Sequence, residues 1–65
     1  MQIHVNGEEQ TIEPMSVLGY LQAIAIDPQR VAVELNLEIL PKGDYAATPL
    51  REGDRLEIVH FVGGG

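Results

Sequence analysis

The chain has no cysteine, one serine, one phenylalanine and one lysine, and only four basic residues against ten acids. Without cysteine it can form neither a disulfide nor a thiolate zinc site. A net charge of −6 leaves no basic stripe to neutralise phosphates, which argues against nucleic acid and against anionic membrane surfaces. The plain meaning of such an acidic surface is solubility. Its functional meaning would be a partner with a basic face. No apolar run approaches the length of a bilayer span. The opening "MQIHVNGEE" has neither the basic region nor the apolar run of a signal peptide, so the expected compartment is the cytoplasm.

The missing residues also remove most chemistry. Ser16 stands where a helix begins and serves as its cap. The ten acids are scattered, with no pair distinguished by spacing. No glycine-rich phosphate loop precedes a helix. His4 and His60 fall in the first and last strands, where they could be neighbours across a sheet. A metal site needs three or four ligands, so both are read as structural and no metal is expected. No nucleophile and base can be assembled, and the chain is not expected to be an enzyme. No cofactor is expected to be bound.

What is present is aliphatic. Sixty-five residues make one domain, and a chain this short buries only roughly 60% of its unfolded surface. Ile, Val, Leu and Ala suffice for one small core held by packing alone. "MQIHV" alternates, with Met1, Ile3 and Val5 on one side. Asn6-Gly7 is a two-residue hairpin signal, because both positions tolerate positive φ. "EEQTIEP" reads as a second strand with Gln10 and Ile12 inward, ended by Pro14. In "SVLGYLQAIAI" the period changes. Val17, Leu18, Leu21, Ile24 and Ala25 share one helix face, and Asp27-Pro28 marks the stop. Gly19 weakens that helix, and a close approach to the sheet would account for it. "RVAVEL" alternates with Val31, Val33 and Leu35 inward, and a turn at Asn36 leads to a short strand through Ile39, which Pro41 closes. "KGDYAATPLREGD" is a loop with one helical turn near Tyr45. "RLEIVHFV" is the last strand. This order predicts an α+β fold, a sheet of four to five strands with a single helix across one face and the other face open.

The last strand and its tail hold the functional signal. Leu56, Ile58 and Val62 belong to the inward set, so Val59 and Phe61 point to the open face beside Glu57. Two exposed apolar residues on one strand, beside the tail, suggest a partner surface. Then come Gly63, Gly64 and Gly65. Three extended residues reach about 10 Å, and without side chains they fit a narrow tunnel that presents the Gly65 carboxylate to another protein's active site. Ordering them costs entropy that contacts elsewhere must offset. The expected partner-binding set is therefore Val59, Phe61, Val62, Gly63 and Gly64. The chain divides into a folded unit over 1–62 and a glycine tail over 63–65.

The segments "IHVNGE", "RVAVELNLEILP", "REGDRLEIV" and "HFVGGG" together resemble the β-grasp, ubiquitin-like proteins, and within them the ThiS sulfur carriers of thiamine biosynthesis. The resemblance covers essentially the whole chain. It implies a mixed β-grasp sheet. It also implies that an E1-like adenylyltransferase, ThiF, adenylates the Gly65 carboxylate with ATP. Sulfur drawn from a desulfurase system then gives a thiocarboxylate, which the thiazole synthase ThiG consumes. The residues agree with this scheme. A carrier with no catalytic groups must be activated in trans, and one with no cysteine must hold its sulfur on the terminal carbonyl. Leu37 departs from the family pattern, which often has Gly after the turn Asn, and leaves the turn type at Asn36-Leu37 open. The alternatives are a molybdopterin-synthase small subunit, also a β-grasp carrier, and a ubiquitin-like modifier joined to lysines through Gly65.

Overall fold

A computed structural model describes residues 1–61. The chain forms strands β1 (Gln2–Val5) and β2 (Glu8–Thr11), helix α1 (Val17–Ala23), and strands β3 (Val31–Leu35), β4 (Glu38–Leu40) and β5 (Arg55–His60). Short 3-10 turns cover Pro28–Arg30 and Lys42–Asp44. The five strands make one mixed sheet in the order β2-β1-β5-β3-β4. β5 therefore lies at the centre, parallel to β1 and antiparallel to β3. This is the β-grasp arrangement expected from the sequence.

Both hairpins are two-residue turns with positive φ at each central position, the type I′ geometry that matches strand twist. At Asn6-Gly7 the φ values are 50° and 83°. At Asn36-Leu37 they are 52° and 72°, so Leu37 adopts a conformation suited to glycine. The left-open turn is thus the same turn as the first, built with a strained residue.

The core is Ile3, Val17, Leu21, Val31, Val33 and Leu56, all essentially inaccessible, together with Tyr20, Tyr45, Leu50 and Ile58. The inward alternation of β1, β3 and β5 follows the sequence pattern. On the edge strand β2 the pattern does not produce burial. Gln10 is exposed, although it pairs with buried Ile3, and Ile12 is only half-buried.

Helix α1 differs from its expected face and length. Ser16 caps it, accepting from the Gly19 N–H at 3.0 Å. The chain leaves the helix at Ala23, well before Asp27-Pro28. Ile26 N–H donates to Leu21 O at 2.9 Å and Ala25 N–H to Gln22 O at 3.1 Å, while Ala25 takes φ 60°. These are the two bonds of a Schellman motif, with alanine at the position usually held by glycine. Stopping early removes Ile24 and Ala25 from the apolar face. Ile24 is 40% exposed, and Tyr20 takes the core position instead. Gly19 does not mark a close approach to the sheet. A Cβ there would meet Ser16 Oγ at 3.3 Å and Met15 Cβ at 3.5 Å, so the residue leaves room for the cap itself.

The long loop is tied to the helix entrance. Val17 N–H donates to Thr48 O and Leu50 N–H to Met15 O, both at 2.9 Å, and Leu18 N–H to Tyr45 O at 3.0 Å. This stitching buries Tyr45 and Leu50. Burial raises the Tyr45 phenol above its ordinary value, and a hydrogen bond with the Val33 backbone works the other way. Burial raises Tyr20 as well.

Candidate functional site

The site is built on β5. Leu56 and Ile58 face the helix, and their burial fixes the opposite orientation for Glu57 and Val59. Val59 is 58% exposed and Phe61 61% exposed. The structure thus places both residues on the uncovered side, as the sequence predicts. Val62, Gly63, Gly64 and Gly65 lie outside the described residues.

Register decides what shares this open face. Ala32 pairs with Val59, and Glu34 lies between Glu57 on one side and Ile39 on the other. Ile39 is 78% exposed. The face is therefore apolar at Val59, Phe61 and Ile39, with the Glu34/Glu57 carboxylates set between them. Like charges directly opposed are unfavourable in a sheet. An open groove of about 200 Å³ runs past Ala32, Ile39, Pro41, Lys42 and Phe61. Ile39 was not singled out in the sequence because β4 is too short to show alternation.

Three polar residues shape the strand that leads to the tail. Asn6 and Asn36 read in the sequence as turn formers, but each also reaches onto β5. Asn6 Nδ2 donates to Ile58 O at 3.2 Å, and Ile58 N–H donates to Asn6 Oδ1 at 2.7 Å. Arg55 N–H donates to Asn36 Oδ1 at 3.0 Å, and Asn36 Nδ2 to Asp54 Oδ1 at 3.0 Å. Lys42 donates to Pro28 O at 3.1 Å and to Val31 O, and lies 5.2 Å from the Phe61 ring centroid. Its being the single lysine is the one sequence signal it carried.

The histidines do not meet. β1 and β5 are neighbours, but His4 pairs with Arg55, so His60 lies five residues farther along. That separation is about 16 Å along the strand. Among the described residues no helix is long and apolar enough to cross a membrane.

With this geometry in view, the comparisons with known proteins decide the family. The ThiS family model matches residues 3–65. The chain belongs to the ThiS family. The sulfur carrier protein ThiS of Bacillus subtilis is 44% identical over 50 residues, covering 77% of this chain and 76% of that protein. The crystal structure of the thiamine biosynthesis protein ThiS from Geobacter metallireducens superposes with a TM-score of 0.86 at 36% identity, covering 100% of both chains. The thiazole synthase of Paramagnetospirillum magneticum is 47% identical over 66 residues, which is 100% of this chain but 20% of that protein. The chain thus spans a fifth of the length of that relative. In some organisms a ThiS-like unit is part of a larger thiazole synthase chain.

Proposed function

We propose that this ThiS-family chain is a sulfur carrier whose Gly65 carboxylate is the working group. The observation that supports this most strongly is the placement of Val59 and Phe61. They are exposed on the open face, Val59 near the end of β5 and Phe61 just past it, with Val62 alone between Phe61 and the glycines in the sequence. An apolar anchor followed closely in sequence by residues without side chains suits a protein that docks and threads its terminus into a partner's site.

A free carboxylate is a poor electrophile. The Gly65 carboxylate attacks the α-phosphorus of ATP in the active site of a ThiF-like adenylyltransferase, and pyrophosphate leaves. A persulfide supplied by a desulfurase system then displaces AMP to form an acyl disulfide. A second thiol of the partner enzymes cleaves its S–S bond, forming a disulfide with the persulfide's parent cysteine and leaving the thiocarboxylate on Gly65. A ThiG-like thiazole synthase takes that sulfur for the thiazole of thiamine. ATP and all catalytic groups belong to the partners, and the carrier supplies the handle and the docking face. Val59 and Phe61, followed by Val62, Gly63 and Gly64, form the partner-binding stretch. The Glu34/Glu57 pair gives the face a negative centre, which complements a basic partner surface. The relative in which a ThiS-like unit and thiazole synthase share a chain supports the ThiG partnership. A cytoplasmic location agrees with a reaction that uses ATP.

The deciding experiment is intact mass after incubation with ATP, the adenylyltransferase and a sulfur source. Replacement of one oxygen by sulfur, mapped to Gly65, is the expected result. An unchanged mass under conditions that load another ThiS overturns the proposal.

A further inference from the structure

We infer that Lys42 is a positioning residue for the root of the tail, acting through Phe61. The activity part of this inference rests on the carrier reading above; the geometry does not.

Phe61 is the last described residue before the glycines, and most of its ring is exposed. An aromatic ring so placed has few neighbours to hold it. Among the described residues its backbone is tied where its N–H donates to Arg30 O at 3.0 Å, one step beyond the Val31–His60 pair that ends the β3–β5 ladder. Lys42 acts on both sides of that point. Its ammonium donates to Pro28 O and Val31 O, which bracket the acceptor Arg30. The same ammonium lies 5.2 Å from the Phe61 ring centroid and 6.0 Å from that of Tyr45. One cation therefore fixes the segment that accepts the Phe61 N–H and draws the Phe61 ring toward itself. Cations within about 6 Å of a ring centroid are attracted by its quadrupole.

The lysine can do this because its own place is fixed. It opens the 3-10 turn that follows Pro41, whose Asp44 N–H donates back to Pro41 O at 2.9 Å. Its stem lies along the groove with Ile39 and Phe61. A ring held before docking loses less freedom when a partner closes on it, so the clamp improves binding without touching the reacting carboxylate. This predicts an effect on KM for the carrier, not on kcat.

The test uses the full chain. In the free protein, the Lys42 ε-methylene protons should show an upfield ring-current shift, most of which Phe61→Leu removes while the share from Tyr45 remains. No such shift in the wild type, or one that Phe61→Leu leaves unchanged, overturns the clamp. Lys42→Met should speed amide exchange at Phe61 by about fivefold, with Ile58 unchanged. Equal protection at Phe61 overturns the inference. In ATP–pyrophosphate exchange by the adenylyltransferase, Lys42→Met should raise KM for the carrier by about fivefold at constant kcat, and Lys42→Arg should restore most of it. Phe61→Leu should also raise KM, and adding Lys42→Met to it should raise KM no further. Fully additive effects would show that Lys42 does not work through Phe61. If the wild-type chain is not adenylated at all, the carrier reading fails, and the clamp stands or falls on the ring-current shift and the exchange at Phe61. If Lys42→Met does not fold, the ring-current shift and its reduction in Phe61→Leu decide alone.

Discussion

The side chain of Asn6 bonds the backbone of Ile58 in both directions, donating to its carbonyl and accepting from its amide. The direct β1–β5 ladder pairs only His4 with Arg55 and Val5 with Leu56. A carboxamide has the same donor and acceptor as a peptide unit, so Asn6 extends the ladder by one step after the backbone has turned away. The residue thus makes the first hairpin, through its positive φ, and anchors the central strand.

Asn6→Ala should therefore cost more than a surface turn substitution. It removes two hydrogen bonds at about 1 kcal/mol each and adds about 1 kcal/mol of left-handed strain, for a total of about 3 kcal/mol. Urea unfolding measures this through the transition midpoint. A loss within about 0.5 kcal/mol would mean the pairing with Ile58 contributes nothing.

Two residues hold left-handed backbone at a cost. Leu37 and Ala25 have φ of 72° and 60°. Leu37 is 83% exposed and gives up little contact if truncated. Leu37→Gly relieves about 1–2 kcal/mol of strain and returns about 0.4–1 kcal/mol to the unfolded chain, a net gain of about 1 kcal/mol. Ala25→Gly should act in the same direction. Thermal scans should show each Tm rise by roughly 4 °C, and a fall at either position would contradict the strain argument.

Phe61→Asp and Leu56→Ala should separate docking from folding. Phe61 is mostly exposed, so its replacement should change stability by no more than about 0.5 kcal/mol while weakening partner binding by about 2 kcal/mol. Leu56 is 1% exposed, and its truncation should cost about 2–5 kcal/mol of stability. Calorimetry for binding and denaturant melts for folding give both numbers. Loss of the fold in Phe61→Asp would place that side chain in the core.

Alkaline pH should unfold the protein through its two tyrosines. Burial raises both phenols above their unfolded value of 10.0. A folded-state pKa that is raised contributes stability fully present below pH 10.0 and lost as pH climbs through the folded-state values. Stability should be flat through neutral pH with respect to these groups and fall above pH 10.0. Phenolate absorbance should rise together with loss of the folded signal. Ionisation well before unfolding would show that the rings are accessible.

Removing Gly65, or extending the chain past it, should abolish sulfur loading and leave the melting temperature unchanged. Mass spectrometry and a thermal scan on the same sample check both halves. Normal loading in the truncated chain would move the reactive group elsewhere.

The parts of this architecture that repeat were legible in the sequence. Ile3, Val31, Val33, Leu56 and Ile58 alternate and are buried in alternation, and from that the exposure of Val59 and Phe61 follows. Asn6-Gly7 announces its turn by residue type alone. What was hidden depends on contacts between distant residues. The helix ends at an alanine in place of the usual glycine, so no residue type marked the stop. Tyr45 and Leu50 sit in an aperiodic loop and become core only because its backbone is stitched to Met15, Val17 and Leu18. The reach of Lys42 to Pro28 and Val31 depends on how β4 returns beside β3. The tail residues 62–65 lie outside the described residues, and the chemistry at Gly65 rests on the proposal.

The central position of β5 has a mechanical consequence. A pull on the terminus enters the domain along that strand, nearly at right angles to the hydrogen bonds joining it to β1 and β3. Such a load shears both ladders and the Asn6 bonds at once; it cannot unzip them one by one. A load applied at this end of the chain is thereby met by two ladders together.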